Sequence, residues 1–293
     1  MTVNWYAHLD QLKDACGIPA TSTGDDDQLR DSLETVSRLI DDWIGYPIGS
    51  QVETRYYSPT DTWRLRLDKP LTSIIALRSD FNGDGVYETT WSSTGYYLNP
   101  PNATGESPPQ PFWDIEVRPN STVVFPVWHN RRDGYYPILR GIQIVGTFGY
   151  YDQRDTADAV VGTASANSTQ PTITVASATT LHPGQTILID SEQMFIQEVT
   201  GTATIRVVRA VNGTTGTTHS SGSVIQIYRY PLVERATLYQ AQNDFRKGLA
   251  DPSGGWQGNF QGLTAGEARM GMDADLHPAV RRMLRSFRVP VVA

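Results

Sequence analysis

Between residues 44 and 64 the hydrophobic period of this chain changes, and that change bounds what it can fold into. Over residues 25–44, Leu29, Leu33, Val36, Leu39/Ile40 and Trp43/Ile44 recur at steps of three and four, which puts one apolar stripe on a helix. Asp25, Asp26 and Asp27 supply an N-cap and a first turn suited to the helix dipole, and Gly45 and Pro47 end the run. By Arg64-Leu65-Arg66-Leu67 the step is two, the period of a half-buried strand. Over residues 51–151 further short runs, at 71–77, 142–145 and 148–151, are separated by turn residues such as Asp80-Phe81-Asn82-Gly83-Asp84-Gly85. Helical spacing returns at Pro231, where Val233, Ala236, Tyr239, Ala241 and Phe245 predict a helix over 231–247. A short helix over 7–16 closes at Gly17, and a last one over 278–288 carries Val280, Leu284 and Phe287 on one face.

Residues 156–224 stand apart in composition. They hold six formal charges, on Asp158, Asp190, Glu192, Glu198, Arg206 and Arg209, while 15 of their positions are threonine. Short β-prone runs at 172–175, 185–189, 193–199 and 203–211 alternate with turns, which reads as a small all-β domain inserted into the chain. The fold class expected is therefore α+β: a helical body from N- and C-terminal helices with a β-rich region, plus this insert. The body takes residues 1–155 and 226–293, and the glycine-rich stretch 248–276 reads as a flexible tether.

Charge and cysteine content remove several function classes. A net charge of −7 disfavours a free-standing nucleic-acid binder, which needs clustered cations against phosphate. Cys16 is the only cysteine, so internal disulfides and multi-thiolate metal sites are excluded. No stretch approaches the ~18 consecutive apolar residues of a membrane helix, and the first residues lack the pattern of a secretory signal. The sequons at Asn102, Asn120, Asn167 and Asn212 read as turn chemistry. Arginine outnumbers lysine 21 to three, which fits either protein interfaces or a GC-rich genome. Acids crowd residues 1–44, whereas 277–293 hold Arg281, Arg282, Arg285 and Arg288 and no acid. Such ends suit two different partners, or two helices that pack together.

No catalytic pattern emerges. Asp80, Asn82, Asp84 and Glu88 mimic the start of a calcium loop, but the twelfth position of an EF-hand is Trp91 and the flanks read as strands. A hairpin turn is the expected reading. The histidines, at 8, 129, 182, 219 and 277, show no metal-ligand spacing. There is no Gly-X-Ser-X-Gly elbow, no Gly-X-X-X-X-Gly-Lys loop and no carboxylate pair singled out for glycoside hydrolysis. No cofactor is expected, and Cys16 at a helix end has no reason to be reactive.

The order of these elements resembles the head-to-tail adaptor (connector) family of tailed bacteriophages. The resemblance rests on a short Leu-rich opening helix (Leu9-Asp10-Gln11-Leu12-Lys13), an acidic linker and the stripe from Leu29 to Gly45. It rests also on the exit Gly146-Thr147-Phe148-Gly149-Tyr150, which in simpler members leads quickly into a helix like Val233-Glu234-Arg235-Ala236-Thr237. The insert, with residues 184–194 and 209–214, looks like a β module that recurs in phage structural proteins. The resemblance implies a non-enzymatic virion subunit, made in the bacterial cytoplasm and sited in the neck between capsid portal and tail. It implies a ring, twelve copies in the usual case, that contacts the portal protein and a head-closure (stopper) or tail-completion protein, with DNA passing through the channel. Within that reading Val280, Arg281, Arg282, Leu284, Arg285, Phe287 and Arg288 are portal-docking candidates, while folding back on helix 25–44 is the alternative. Asp25, Asp26, Asp27, Asp31 and Glu34 are channel-lining candidates, since a negative wall repels DNA. The rival reading is a carbohydrate-binding or adhesive β-rich virion protein.

Overall fold

The computed structural model describes residues 4–105, 109–131, 134–150, 152–163, 169–249 and 276–288. The chain divides into two compact units, Pro47–Gln153 and Met1–Tyr46 joined with Arg154–Ala293.

The contiguous unit is an antiparallel sheet of β1 (Gln51–Tyr57), β2 (Arg64–Ser79), β3 (Thr89–Thr90), β4 (Tyr96–Asn99), β5 (Phe112–Val117) and β8 (Ile142–Phe148), with a separate hairpin of β6 (Trp128–Arg131) and β7 (Gly134–Pro137). The strand order is β1-β8-β2-β5-β4, and β3 pairs with β2. Alternation decides its faces. Leu65, Leu67, Leu77, Ile115, Ile144 and Phe148 point into one core, where Trp91 stacks on Phe125 at 5.0 Å. On the other face Arg64 pairs across strands with Asp114 at 2.9 Å, while Arg55, in register with Ile144, pairs with Asp68 at 2.6 Å. The runs 64–67 and 71–77 belong to one strand, although Pro70 lies between them. Proline has no N–H for the ladder, and the register with β5 shifts between Arg66 and Leu71, so the missing donor falls at an irregularity. Gly146 of β8 lets the backbones close up: a Cβ there would stand 2.5 Å from the Ser73 carbonyl oxygen.

In the second unit a six-stranded antiparallel sheet runs β10-β13-β12-β11-β14-β9. Its strands are β9 (Arg154–Val160), β10 (Thr172–Thr174), β11 (Thr186–Ile189), β12 (Glu192–Gly201), β13 (Thr204–Val208) and β14 (Val224–Tyr228). Val161, Ile173, Ile187, Met194, Ile196, Ile205 and Ile225 fill its core. Among the described residues the unit also holds four helices: α1 (Leu9–Cys16), α2 (Asp26–Ile44), α3 (Pro231–Leu249) and α4 (Pro278–Leu284), the last running into a 3-10 turn at Arg285–Phe287. α1 and α2 both pack on α3, as does α4. His8 caps α1, its Nδ1 accepting from the Gln11 amide while the Gln11 side chain accepts from the His8 N–H, a reciprocal capping box. Lys13, almost fully buried, donates to the carbonyls of Ala20 and Ser22 and pairs with Asp26 at 2.5 Å, which pins the acidic linker.

This architecture corrects the expected fold class. The described residues are mostly antiparallel β, and the four helices among them, of 8, 19, 19 and 7 residues, do not make a helical body. The cause lies in how the two periods advertise themselves. A 19-residue stripe concentrates its signal, while fourteen strands spread theirs over short segments. β12 even hides its alternation, since Glu192–Ile196 are buried in succession. The sheet of the second unit also takes residues 154–155 and 225–228, which lie outside the 156–224 block. The N-terminal segment is built onto it. The Asn4 Oδ1 accepts from Thr186 and Asn212, the Leu9 N–H donates to the Pro183 carbonyl, and Trp5 meets Phe195 edge-on at 5.1 Å. Gly184, at φ 99°, makes room for Trp5: a Cβ there would lie 2.5 Å from its ring. Residues 250–275 of the expected tether lie outside the described residues.

Candidate interaction surfaces

Among the clusters of titratable side chains in the described residues, three bear on function, and two of these are visibly structural. In the first, Glu192 at the start of β12 is fully buried. Its Oε1 accepts from the Arg209 Nε at 2.7 Å and the Ala210 N–H at 3.0 Å. Its Oε2 accepts from the Arg209 Nη2 at 2.7 Å and the Thr217 N–H at 2.8 Å, and lies 3.0 Å from the His219 Nε2. Burial alone would raise the Glu192 pKa, but the Arg209 guanidinium and these donors outweigh it and hold the carboxyl below its usual range. The other ring nitrogen of His219 faces Asp190 at 2.6 Å, so the ring bridges the two carboxylates. With its oxygens saturated, Glu192 has no lone pair to offer a substrate. The network clamps the 209–219 loop onto the sheet. Residues 174 positions apart form the second cluster: the His8 and His182 rings stack at 4.3 Å and 8°, and the His182 Nδ1 meets Asp10 at 2.6 Å. Burial, aided by His182, lowers the His8 pKa to about 4. The three side chains lie close enough for a cation, but parallel stacked rings direct their in-plane lone pairs side by side rather than to one point.

The third cluster is the 80–88 turn. Asp80 is buried and accepts from the N–H groups of Asn82, Gly83 and Gly85, and Gly83 and Gly85 take positive φ. The Asn82 amide donates to Asp84 at 3.1 Å and Glu88 at 2.8 Å. Asp80, Asp84 and Glu88 could share a divalent cation, yet each of these contacts is also what a self-contained Asx turn makes.

This turn borders a cleft of about 460 Å³ whose walls include Tyr56, Tyr87, Leu139 and Arg140. The Tyr56 and Tyr87 rings meet at 5.6 Å, and Leu139 is 73% exposed with Val86 beside the turn at 58%. Arg140 holds a left-handed backbone (φ 55°), fixed by its N–H to Ser58 and by the Tyr87 hydroxyl donating to its carbonyl. Elsewhere on the same unit Trp63 and Trp128 are at least half exposed.

Of the docking candidates, Val280, Leu284 and Phe287 are buried within their own unit, and the Tyr46 hydroxyl donates to the Phe287 carbonyl. Arg281 is half-buried, while Arg282, Arg285 and Arg288 are exposed, Arg288 lying 5.0 Å over the Trp43 ring. Of the channel candidates, Asp26 is tied to Lys13, while Asp25, Asp27, Asp31 and Glu34 are exposed. Cys16 ends α1, and burial pushes its thiol up, away from reactivity. Comparison with known proteins adds no neighbour: no family model, curated protein or solved structure matches the chain.

Proposed function

We propose that this chain is a structural subunit that assembles into a ring in the neck of a tailed bacteriophage. It joins the portal to a head-closure or tail-completion protein while DNA passes through the centre. The observation that carries the reading is the apolar surface left open on the contiguous unit. Tyr56 and Leu139 meet at one cleft, and Val86, Trp63 and Trp128 stand at least half exposed nearby in sequence. A concentration of this kind is unusual on a protein that works alone and is expected of one that other chains cover. The order of elements supports the same reading, since α1 and α2 precede the first sheet and α3 follows the second. The clamped Glu192 network supports an architectural role for the second sheet. The test is to mix the purified chain with portal rings of the same phage and image the product. Rings stacked on the portal are expected, and a chain that neither forms rings nor binds the portal overturns the proposal.

The cleft also favours a second reading, glycan binding, because two tyrosine faces beside Asp84 and Arg140 suit a sugar's apolar face and hydroxyls. Binding to host-wall polysaccharide that disappears in Tyr56→Ala would decide for it.

A further inference from the structure

Two charged stripes on the helical part of the second unit face solvent. On α2, Asp27, Asp31 and Glu34 are all exposed. Spaced at i, i+4 and i+7, they share one face of the helix. Asp27 is 3.8 Å from Arg30, and Asp31 and Glu34 have no ion pair or hydrogen bond among the described residues. On α4 and the turn that follows, Arg282, Arg285 and Arg288 are exposed. Arg282 and Arg285, three residues apart across the end of α4, lie on one side, and Arg288 follows in extended backbone just beyond the 3-10 turn. Arg282 and Arg285 likewise lack a partner among the described residues.

No ion pair joins the two stripes within one copy among the described residues. Arg288 lies over Trp43 and Phe287 is held by Tyr46, so the Arg288 end of the basic stripe sits at the C-terminal end of α2. The acidic stripe sits toward the N-terminal end. Asp31 and Trp43 are separated by about 18 Å of helix at ~1.5 Å per residue. That is roughly twice the ~8 Å over which salt screens charges. The helix dipole accounts for Asp27 in the first turn, but its influence fades before Asp31 and Glu34.

We infer that the Asp27-Asp31-Glu34 stripe of one copy docks on the Arg282-Arg285-Arg288 stripe of the next, and that this head-to-tail contact closes the ring. The inference rests on the ring reading above and names the surface that makes it. Two different patches meet, so the contact is heterologous and repeats in one direction, as a ring requires. Arginine suits it because each guanidinium fork can bond a carboxylate at two points.

The test uses the full chain and two reversed variants, Asp31→Lys with Glu34→Lys, and Arg282→Glu with Arg285→Glu. Their masses in solution are measured against protein concentration at low and high salt. All four residues are exposed, so circular dichroism and melting should match the parent, and Asp31→Asn with Glu34→Gln is the milder substitute if one does not fold. Each variant alone should associate at least ~10-fold more weakly than the parent. Mixed one to one they should assemble again, because each supplies the charge that the other has lost. Parent-like assembly by either variant alone, or no recovery on mixing, overturns this interface while leaving the ring reading intact. A parent chain that stays monomeric at every concentration and salt overturns both.

Discussion

The C-terminal helix offers the sharpest measurement, because its apolar face can serve its own unit or a partner but not both. Leu284 is fully buried, beside Val280 and Phe287. Truncating it in Leu284→Ala withdraws three carbons from the core, about 2 kcal/mol of transfer free energy at ~0.8 kcal/mol per buried carbon group. The cavity left behind adds to this wherever the surroundings fail to close, bringing the loss to ~3–4 kcal/mol. For a unit of this size each kcal/mol moves Tm by ~2–4 °C, so a fall of roughly 6–16 °C is expected. The assay is urea denaturation, which gives the free energy through an unchanged slope, together with a thermal melt. Arg285→Ala, one residue on and exposed, is the internal control and should stay within ~0.5 kcal/mol of the parent. A loss below ~1 kcal/mol for Leu284→Ala would refute the fold-back packing and return the helix to a role outside its own unit.

Three further outcomes follow from the second unit. Glu192→Gln leaves the Arg209 guanidinium buried without its counter-charge, so denaturant unfolding should report a loss of ~3–5 kcal/mol. His8 is held neutral, its folded pKa of about 4 lying below its unfolded value, so its contribution is present above pH ~6.5 and lost as pH falls toward 4. Stability followed over that range should drop by at most ~3 kcal/mol from this group, and His8→Asn, which keeps an N-cap acceptor, should flatten the profile. Gly184→Ala places a carbon against Trp5 in a left-handed backbone, and should cost ~1–3 kcal/mol with a shift in tryptophan fluorescence.

The helices were legible because each carries its own punctuation. The run 25–44 lies within one residue of Asp26–Ile44, and 231–247 stops two residues short of Leu249. The sheet was legible only in pieces, because its pairing is non-local: β1 meets β8 across the whole unit, and Pro70 splits β2 into two apparent runs. The buried clamp was missed for a similar reason, although a signal was present. In a block so poor in charge, Glu192 and Arg209, both with buried side chains, needed each other to offset desolvation. Nothing local pairs His8 with His182, and only the docking of residues 4–9 onto the sheet brings them together.

That docking sets an order in time. Residues 47–153 are contiguous, so the first sheet has all of its strands once about half the chain has been made. α1 and α2 emerge earlier but pack on α3, and Trp5 waits for Phe195. At the ~5–20 residues per second of synthesis, the oldest part of the chain stays without its core for some ten seconds or more. An amphipathic stripe held open that long is a target for chaperones and for misassembly between nascent neighbours. The acidic crowding of residues 25–34, whatever it does later, keeps that waiting segment soluble.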